Sequence, residues 1–220
     1  ALIYAFDFEW TNKNIMYGAY QRTHSVFQNS PMMAKGKPDA AELALLEPFR
    51  GKLSEEVFGE PYVPPVTDGS GQDRRWLRRA NQLLGEAGFA LKDGKRVQTN
   101  GAPISIEFLL DEPTFQPHHL TYIKTLQVLG FAASLRLVDP VQYRKRVDDF
   151  DFDITVERLG FSETPGDSLR TYFSSQAAAT KGSQNRAGIA DPAIDALIDI
   201  IIGAKTRPEL VTACRALDRV

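Results

Sequence analysis

Ile104-Ser105-Ile106-Glu107-Phe108-Leu109-Leu110 alternates as a strand, Phe115 to Leu129 carries a helical apolar repeat, and Ala132 to Val138 alternates again. Pro140 to Val147 supplies another helix before a β-rich run from Phe152 to Leu159. The order β-α-β-α-β implies parallel strands joined by crossover helices, because parallel neighbours cannot be linked by a tight hairpin. The fold class is therefore α/β, a central sheet flanked by helices. The final strand runs into Gly160-Phe161 and a Pro165-Gly166 turn, which places polar and aromatic groups at a strand's carboxyl end. Open α/β sheets bind ligands there.

Outward from this core, the first seventeen residues fit a helical repeat broken near Trp10-Thr11-Asn12, with Thr11 as a possible cap of a second short helix. Asp39 to Leu46 reads as a helix stopped by Pro48. Residues 51–72 hold Pro61, Pro64, Pro65, Gly69 and Gly71 and read as an extended loop. Asp73 caps a helix from Arg74 to Ala87, with Trp76, Ala80, Leu83 and Ala87 on one side, Leu77 and Leu84 widening the stripe, and Gly88 as its stop. Phe89 to Val97 folds back at Asp93-Gly94 as a small hairpin. Helices Pro192 to Ile202 and Pro208 to Val220 close the chain, capped by Asp191 and Thr206 with proline in the first turn.

With 43% hydrophobic and 25% charged residues, 220 residues suffice for one substantial core, and one domain spanning 1–220 is the expectation. A net charge of −2 gives no overall pull toward nucleic acid. The single cysteine, Cys214, rules out an internal disulfide or a cysteine-based zinc site and reads as a buried helical thiol. His118 and His119 are adjacent, about a hundred degrees apart on a helix, so they cannot share a metal from that element alone. No metal or cofactor is expected. Asp148, Asp149, Asp151 and Asp153 lack the glycine and terminal glutamate of a calcium loop and read as capping or solvated carboxylates. Arg74, Arg75, Arg78 and Arg79 read as a solvated basic face. Serines are many, but none sits in a Gly-x-Ser-x-Gly elbow, so hydrolase chemistry has no visible nucleophile.

What remains is a recognition surface. Arg158 can pair a ligand carboxylate or phosphate through its planar fork, Gly160 admits close approach of a ligand to the backbone, and Phe161 offers an apolar wall. In the structural alternative Arg158 pairs with a nearby acid and Phe161 plugs the core. Ser162, Thr164, Asp167 and Asn185 complete the candidate set, with Tyr172 and Arg186 as weaker members.

The pattern from Asp139-Pro140-Val141-Gln142-Tyr143 through Asp149-Phe150-Asp151-Phe152-Asp153 to Asn185 and Leu217-Asp218-Arg219-Val220 resembles the C-terminal lobe of periplasmic solute-binding proteins of oligopeptide ABC transporters, extracellular solute-binding family 5. The turn Ser162-Glu163-Thr164-Pro165-Gly166-Asp167 is similar to the branch linked to microcin C and other modified peptides. The resemblance implies one excised lobe of a two-lobed type II binding protein in the periplasm. It implies no enzyme activity, and as partners a peptide or modified peptide, the remaining lobe, and an inner-membrane ABC permease. Arg158-Leu159-Gly160-Phe161 matches the family's Arg-x-Gly-Trp in form, with Phe for Trp, while the acid that would hold a peptide amino terminus has no clean equivalent. An α/β hydrolase or transferase, or a structural interaction domain, are the other classes the residues leave open.

Overall fold

In chain order the computed structural model, which describes residues 1–220, has helices α1 (Phe8–Asn14), α2 (Ala40–Leu46) and α3 (Arg74–Glu86) and strands β1 (Ala90–Lys92), β2 (Lys95–Val97) and β3 (Ser105–Leu110). Then follow α4 (Gln116–Val128), β4 (Ala132–Leu137), α5 (Pro140–Asp148), α6 (Ser168–Phe173), α7 (Ser175–Ala178), α8 (Pro192–Gly203) and α9 (Arg207–Arg219). The fold class is the α/β expected. The residues divide into two units, one of Ala1–Arg22, Pro64–Val147 and Asp151–Val156, the other of Thr23–Val63, Asp148–Phe150 and Glu157–Val220.

The first unit is built on the β3-α4-β4 crossover. β3 and β4 pair in parallel from Ser105↔Ala132 to Leu110↔Leu137. Ile106, Phe108 and Ala133 join Ala80 and Leu84 of α3 and Ile123 and Leu126 of α4 in one buried cluster. The stripe of α3 centres on Ala80 and Leu84, while Ala87 is exposed. The hairpin turns through Asp93 and Gly94 at φ 49° and 75°, the pair of positive values a two-residue turn of this kind requires. Arg96, almost fully buried, donates to Leu129 O (3.1 Å) and Phe89 O (2.9 Å) and ties the hairpin to the end of α4. A Cβ at Gly130, φ +93°, would stand 2.6 Å from Leu91 Cδ1 and 2.8 Å from the Arg96 nitrogen, so only glycine fits there.

The third strand shortens to one rung. Ile154 bridges Phe108 in parallel, with Leu109 N donating to Ile154 O (2.9 Å) and Ile154 N to Glu107 O (3.1 Å). On either side, side chains replace the ladder: Asp153 Oδ2 accepts from Glu107 N (2.8 Å), and the Thr155 hydroxyl donates to Leu109 O (3.1 Å) and contacts the Tyr143 hydroxyl (2.8 Å). A short polar side chain that satisfies a strand's backbone removes the need to continue that strand. At the amino end, Asp7 rather than Thr11 caps α1, accepting from Trp10 N at 2.9 Å, and the Thr11 hydroxyl is buried against Asp7 O.

The second unit packs Leu46 of α2, Leu169 of α6, Leu197, Ile198 and Ile201 of α8, and Ala213, Cys214 and Ala216 of α9 around Phe27 and Met32. Asp39 caps α2, Asp191 caps α8, and Thr206 with Glu209 forms a capping box on α9. Burial pushes the Cys214 thiol up to about 12, so it is an inert core residue. Arg219 is buried with Glu42 (Nε to Oε2, 2.6 Å) and also donates to Gly59 O (3.1 Å) and Lys35 O (3.3 Å). Its neighbour Asp218 accepts from the Ser25 hydroxyl (2.8 Å), Val26 N (3.2 Å) and Ala34 N (2.9 Å), fixing the loop 25–34 on the last helix.

Candidate functional site

Six of the seven candidate residues lie on the run from Arg158 to Asp167 in the second unit. The run belongs to no helix or sheet ladder. It is anchored at one end by Glu157, whose carboxylate is 3.3 Å from Arg186 Nε, and Arg186 in turn lies 3.8 Å from Asp148 Oδ1. At the other end the Glu163 carbonyl accepts from the Arg207 guanidinium and Pro165 is buried.

Between these anchors the chain is open to solvent. Arg158 is exposed, and its backbone amide donates to its neighbour Glu157 Oε1 (3.2 Å). Nothing lies within 4 Å of a Cβ built on Gly160, so its backbone can be approached closely from outside. Ser162 and Thr164 are exposed and linked, Thr164 N donating to the Ser162 hydroxyl at 3.3 Å. The Asp167 side chain is 86% exposed, 3.4 Å from Arg170, and makes no capping bond to α6.

Phe161 is half-buried. Its ring meets Phe27 (5.9 Å), Tyr172 (5.4 Å, edge-on) and Phe173 (5.7 Å) and packs against the core of the second unit. The ring packs against the core, as in the structural alternative, and part of it stays exposed. Tyr172 belongs to the same aromatic group.

Asn185 differs from the other candidates. It is 1% exposed and its amide is fully used: Nδ2 donates to Ser174 O (3.0 Å) and Ile189 O (2.8 Å), and Oδ1 accepts from Ile189 N (2.9 Å). In this structure Asn185 acts as a loop clamp, its amide engaged by the backbone of Ser174 and Ile189. Nothing in the sequence distinguishes such a clamp from a binding asparagine. Two short helices, α6 and α7, were also not legible; the Ser174 hydroxyl starts the second by accepting from Ala177 N at 3.1 Å.

The acids of residues 148–153 are engaged by cations: Asp149 by Lys181, and Asp151, with Glu107, by Arg146 (2.8 Å each). His119 bonds the Phe115 carbonyl (2.7 Å) and sits edge-on to Phe108, and burial lowers its pKa. No three His, Cys, Asp or Glu side chains converge as a metal site, and no helix is long and apolar enough to cross a membrane.

Residues 1–181 match the middle region of the bacterial extracellular solute-binding proteins, family 5. The chain is 41% identical over 221 residues to a putative binding protein of Brucella melitensis, and 39% identical over 221 residues to a probable peptide-binding protein, YejA, of Agrobacterium fabrum; each match covers all of this chain and 36% of the relative. The chain thus spans about a third of the length of these relatives. Among solved structures it is similar to the oligopeptide-binding protein AppA of Bacillus subtilis in complex with a nonapeptide, with TM-score 0.68 and 15% identity over 99% of this chain and 38% of that one. At that identity the likeness concerns the fold, that of a type II periplasmic binding protein. The chain belongs to the bacterial extracellular solute-binding proteins of family 5.

Proposed function

We propose that this chain forms one ligand-binding lobe of the substrate-binding component of an ABC importer. That component captures peptides or modified peptides in a cleft closed by the remainder of a longer polypeptide, in the periplasm, and delivers them to an inner-membrane permease. Its work is binding, not catalysis. The observation that carries the reading is the anchored but unladdered run Arg158–Thr164, whose exposed backbone lies beside one cationic fork and an aromatic edge. An extended peptide can add main-chain hydrogen bonds to such a run whatever its sequence, which gives affinity without strict side-chain selection. Arg158 supplies a charge-assisted contact to a carboxylate, and Phe161 an apolar edge. Ser162, Thr164 and Asp167 add polar contacts, and Asn185 holds the 174–189 loop together. The names of the peptide-binding relatives support the same substrate class.

The test is native mass spectrometry of the full-length protein, followed by calorimetry with the ligands recovered. A ladder of short peptides, with binding weakened about tenfold or more by Arg158→Ala, is the expected result. Recovery of a single non-peptide compound overturns the substrate class, and turnover of a bound peptide overturns the binding-only role.

A further inference from the structure

The first unit holds a second candidate site that sequence reasoning did not single out. After α1 the chain doubles back on itself. Gly18 N donates to Asn12 O (2.8 Å) and Ala19 N to Met16 O (3.0 Å). Asn12 and Tyr20 then bond in both directions, Asn12 Nδ2 to Tyr20 O (2.8 Å) and Tyr20 N to Asn12 Oδ1 (3.1 Å). These bonds hold Tyr17 at φ 56°, a left-handed conformation that costs a bulky residue on the order of 1–3 kcal/mol. The strain is not offset by packing, since the Tyr17 side chain is 91% exposed and Tyr20 is 62% exposed. The turn holds both aromatic rings outside the core of the first unit.

A cavity of about 500 Å³ opens at this turn, lined by Phe8, Lys13, Tyr17, Tyr20, Gln21 and Arg22, with Glu9 and Asn12 on its wall. Its size is that of a small-ligand site. The Glu9 carboxylate is hydrogen-bonded but keeps its charge: Oε2 accepts from Thr67 N (2.9 Å) and from the Thr67 hydroxyl. The Arg22 guanidinium lies over the Phe6 and Phe8 rings (5.6 and 6.0 Å to their centroids) and donates to Pro65 O (2.9 Å). Lys13, exposed at the carboxyl end of α1, has no ion pair. With Lys13 and Arg22 against the one carboxylate of Glu9, the lining carries a net positive charge beside flat apolar faces.

We infer that this cavity binds a small ligand carrying a carboxylate on a ring-bearing group, with the ring against Tyr17 and Tyr20 and the carboxylate on Lys13. The pairing follows from the two features together. A lysine at a helix carboxyl end is explained by the helix dipole alone, but the strained, exposed Tyr17 beside it is not. Both a sugar acid and the carboxyl end of a peptide with an aromatic last residue have this chemistry. The inference does not rest on the peptide-capture reading of Arg158–Thr164.

The experiment is calorimetry and saturation-transfer NMR on the full-length protein with two probes, D-glucuronate and N-acetyl-L-phenylalanine. Binding of either supports the inference if Lys13→Gln and Tyr17→Ala each weaken it about fivefold or more and Arg158→Ala leaves it unchanged. Glucuronate alone points to a sugar acid, and N-acetyl-L-phenylalanine alone to a peptide end. Both variants alter exposed side chains, and an unchanged melting profile confirms that each is folded. Failure of both probes to bind, or binding indifferent to Lys13→Gln and Tyr17→Ala, overturns the inference. Loss of binding on Arg158→Ala assigns the probes to the other site and overturns it equally.

Discussion

Asn185→Ala separates a clamp from a contact. The substitution removes a side chain that is 1% exposed and leaves Ser174 O, Ile189 O and Ile189 N without the partners they hold at 3.0, 2.8 and 2.9 Å. Each stranded buried group costs about 1–3 kcal/mol, and partial hydration of the new space recovers some of it, so a loss of about 3–5 kcal/mol is expected. At a urea dependence of about 1–3 kcal/mol per molar, the unfolding midpoint falls by roughly 1–5 M. Asn185→Asp, though closer in shape, is expected to be at least as damaging, because it turns an acceptor toward two carbonyls that need donors. Urea titration followed by circular dichroism reads both variants, and calorimetry below the transition reads peptide affinity, which stays within about threefold of wild type. A variant with an unchanged midpoint and abolished peptide binding would refute the reasoning and return Asn185 to the ligand.

Three further outcomes follow from the packing and the charges. Glu42→Ala leaves the Arg219 guanidinium charged and buried, and a loss of about 3–5 kcal/mol is expected in the same urea assay; a loss under 1 kcal/mol would mean that water reaches Arg219. Gly130→Ala drives a methyl to 2.6 Å from Leu91 Cδ1 at a positive φ, so a destabilisation of about 2–4 kcal/mol with loss of hairpin amide protection by hydrogen exchange is expected. His119, whose pKa burial holds below its ordinary value of 6.5, binds its proton more readily when unfolded. Its contribution to stability is therefore full above that value and lost as pH falls from it toward the folded pKa, and His119→Gln should flatten the melting temperature measured between pH 7.5 and 5.5.

The parts of the fold that could be read in the sequence are those where one signal has one meaning. Alternation in Ile104–Leu110, the Asp93-Gly94 turn, and the Asp191 and Thr206 caps before proline each demand a backbone conformation, and each forms as read. The third strand looked as good as the second in composition, but pairing is decided by the partner: Asp153 and Thr155 satisfy β3 with their side chains, and the ladder ends at Ile154. The run Arg158–Thr164 is exposed, as its glycine and the Pro-Gly turn suggest, but the strand expected to lead into it ends at Ile154. Asn185 was not legible, since a buried amide and a ligand-facing one have the same sequence signature. The turn at Tyr17 escaped because a left-handed tyrosine is set by the Asn12–Tyr20 bonds, not by its own identity.

Asp218 has one more consequence, for the order in which the protein can mature on the ribosome. The loop 25–34 has its amides and the Ser25 hydroxyl waiting for a carboxylate that lies 193 residues after Ser25 in sequence. At about 5–20 residues per second, translation leaves that loop without its anchor for roughly 10–40 s. Phe27 and Met32, which share a core with Ala213, Cys214 and Ala216 of α9, lack that part of their cover over the same interval. A chaperone that recognises apolar segments on nascent chains has that interval in which to hold this loop, and the emergence of α9 ends it.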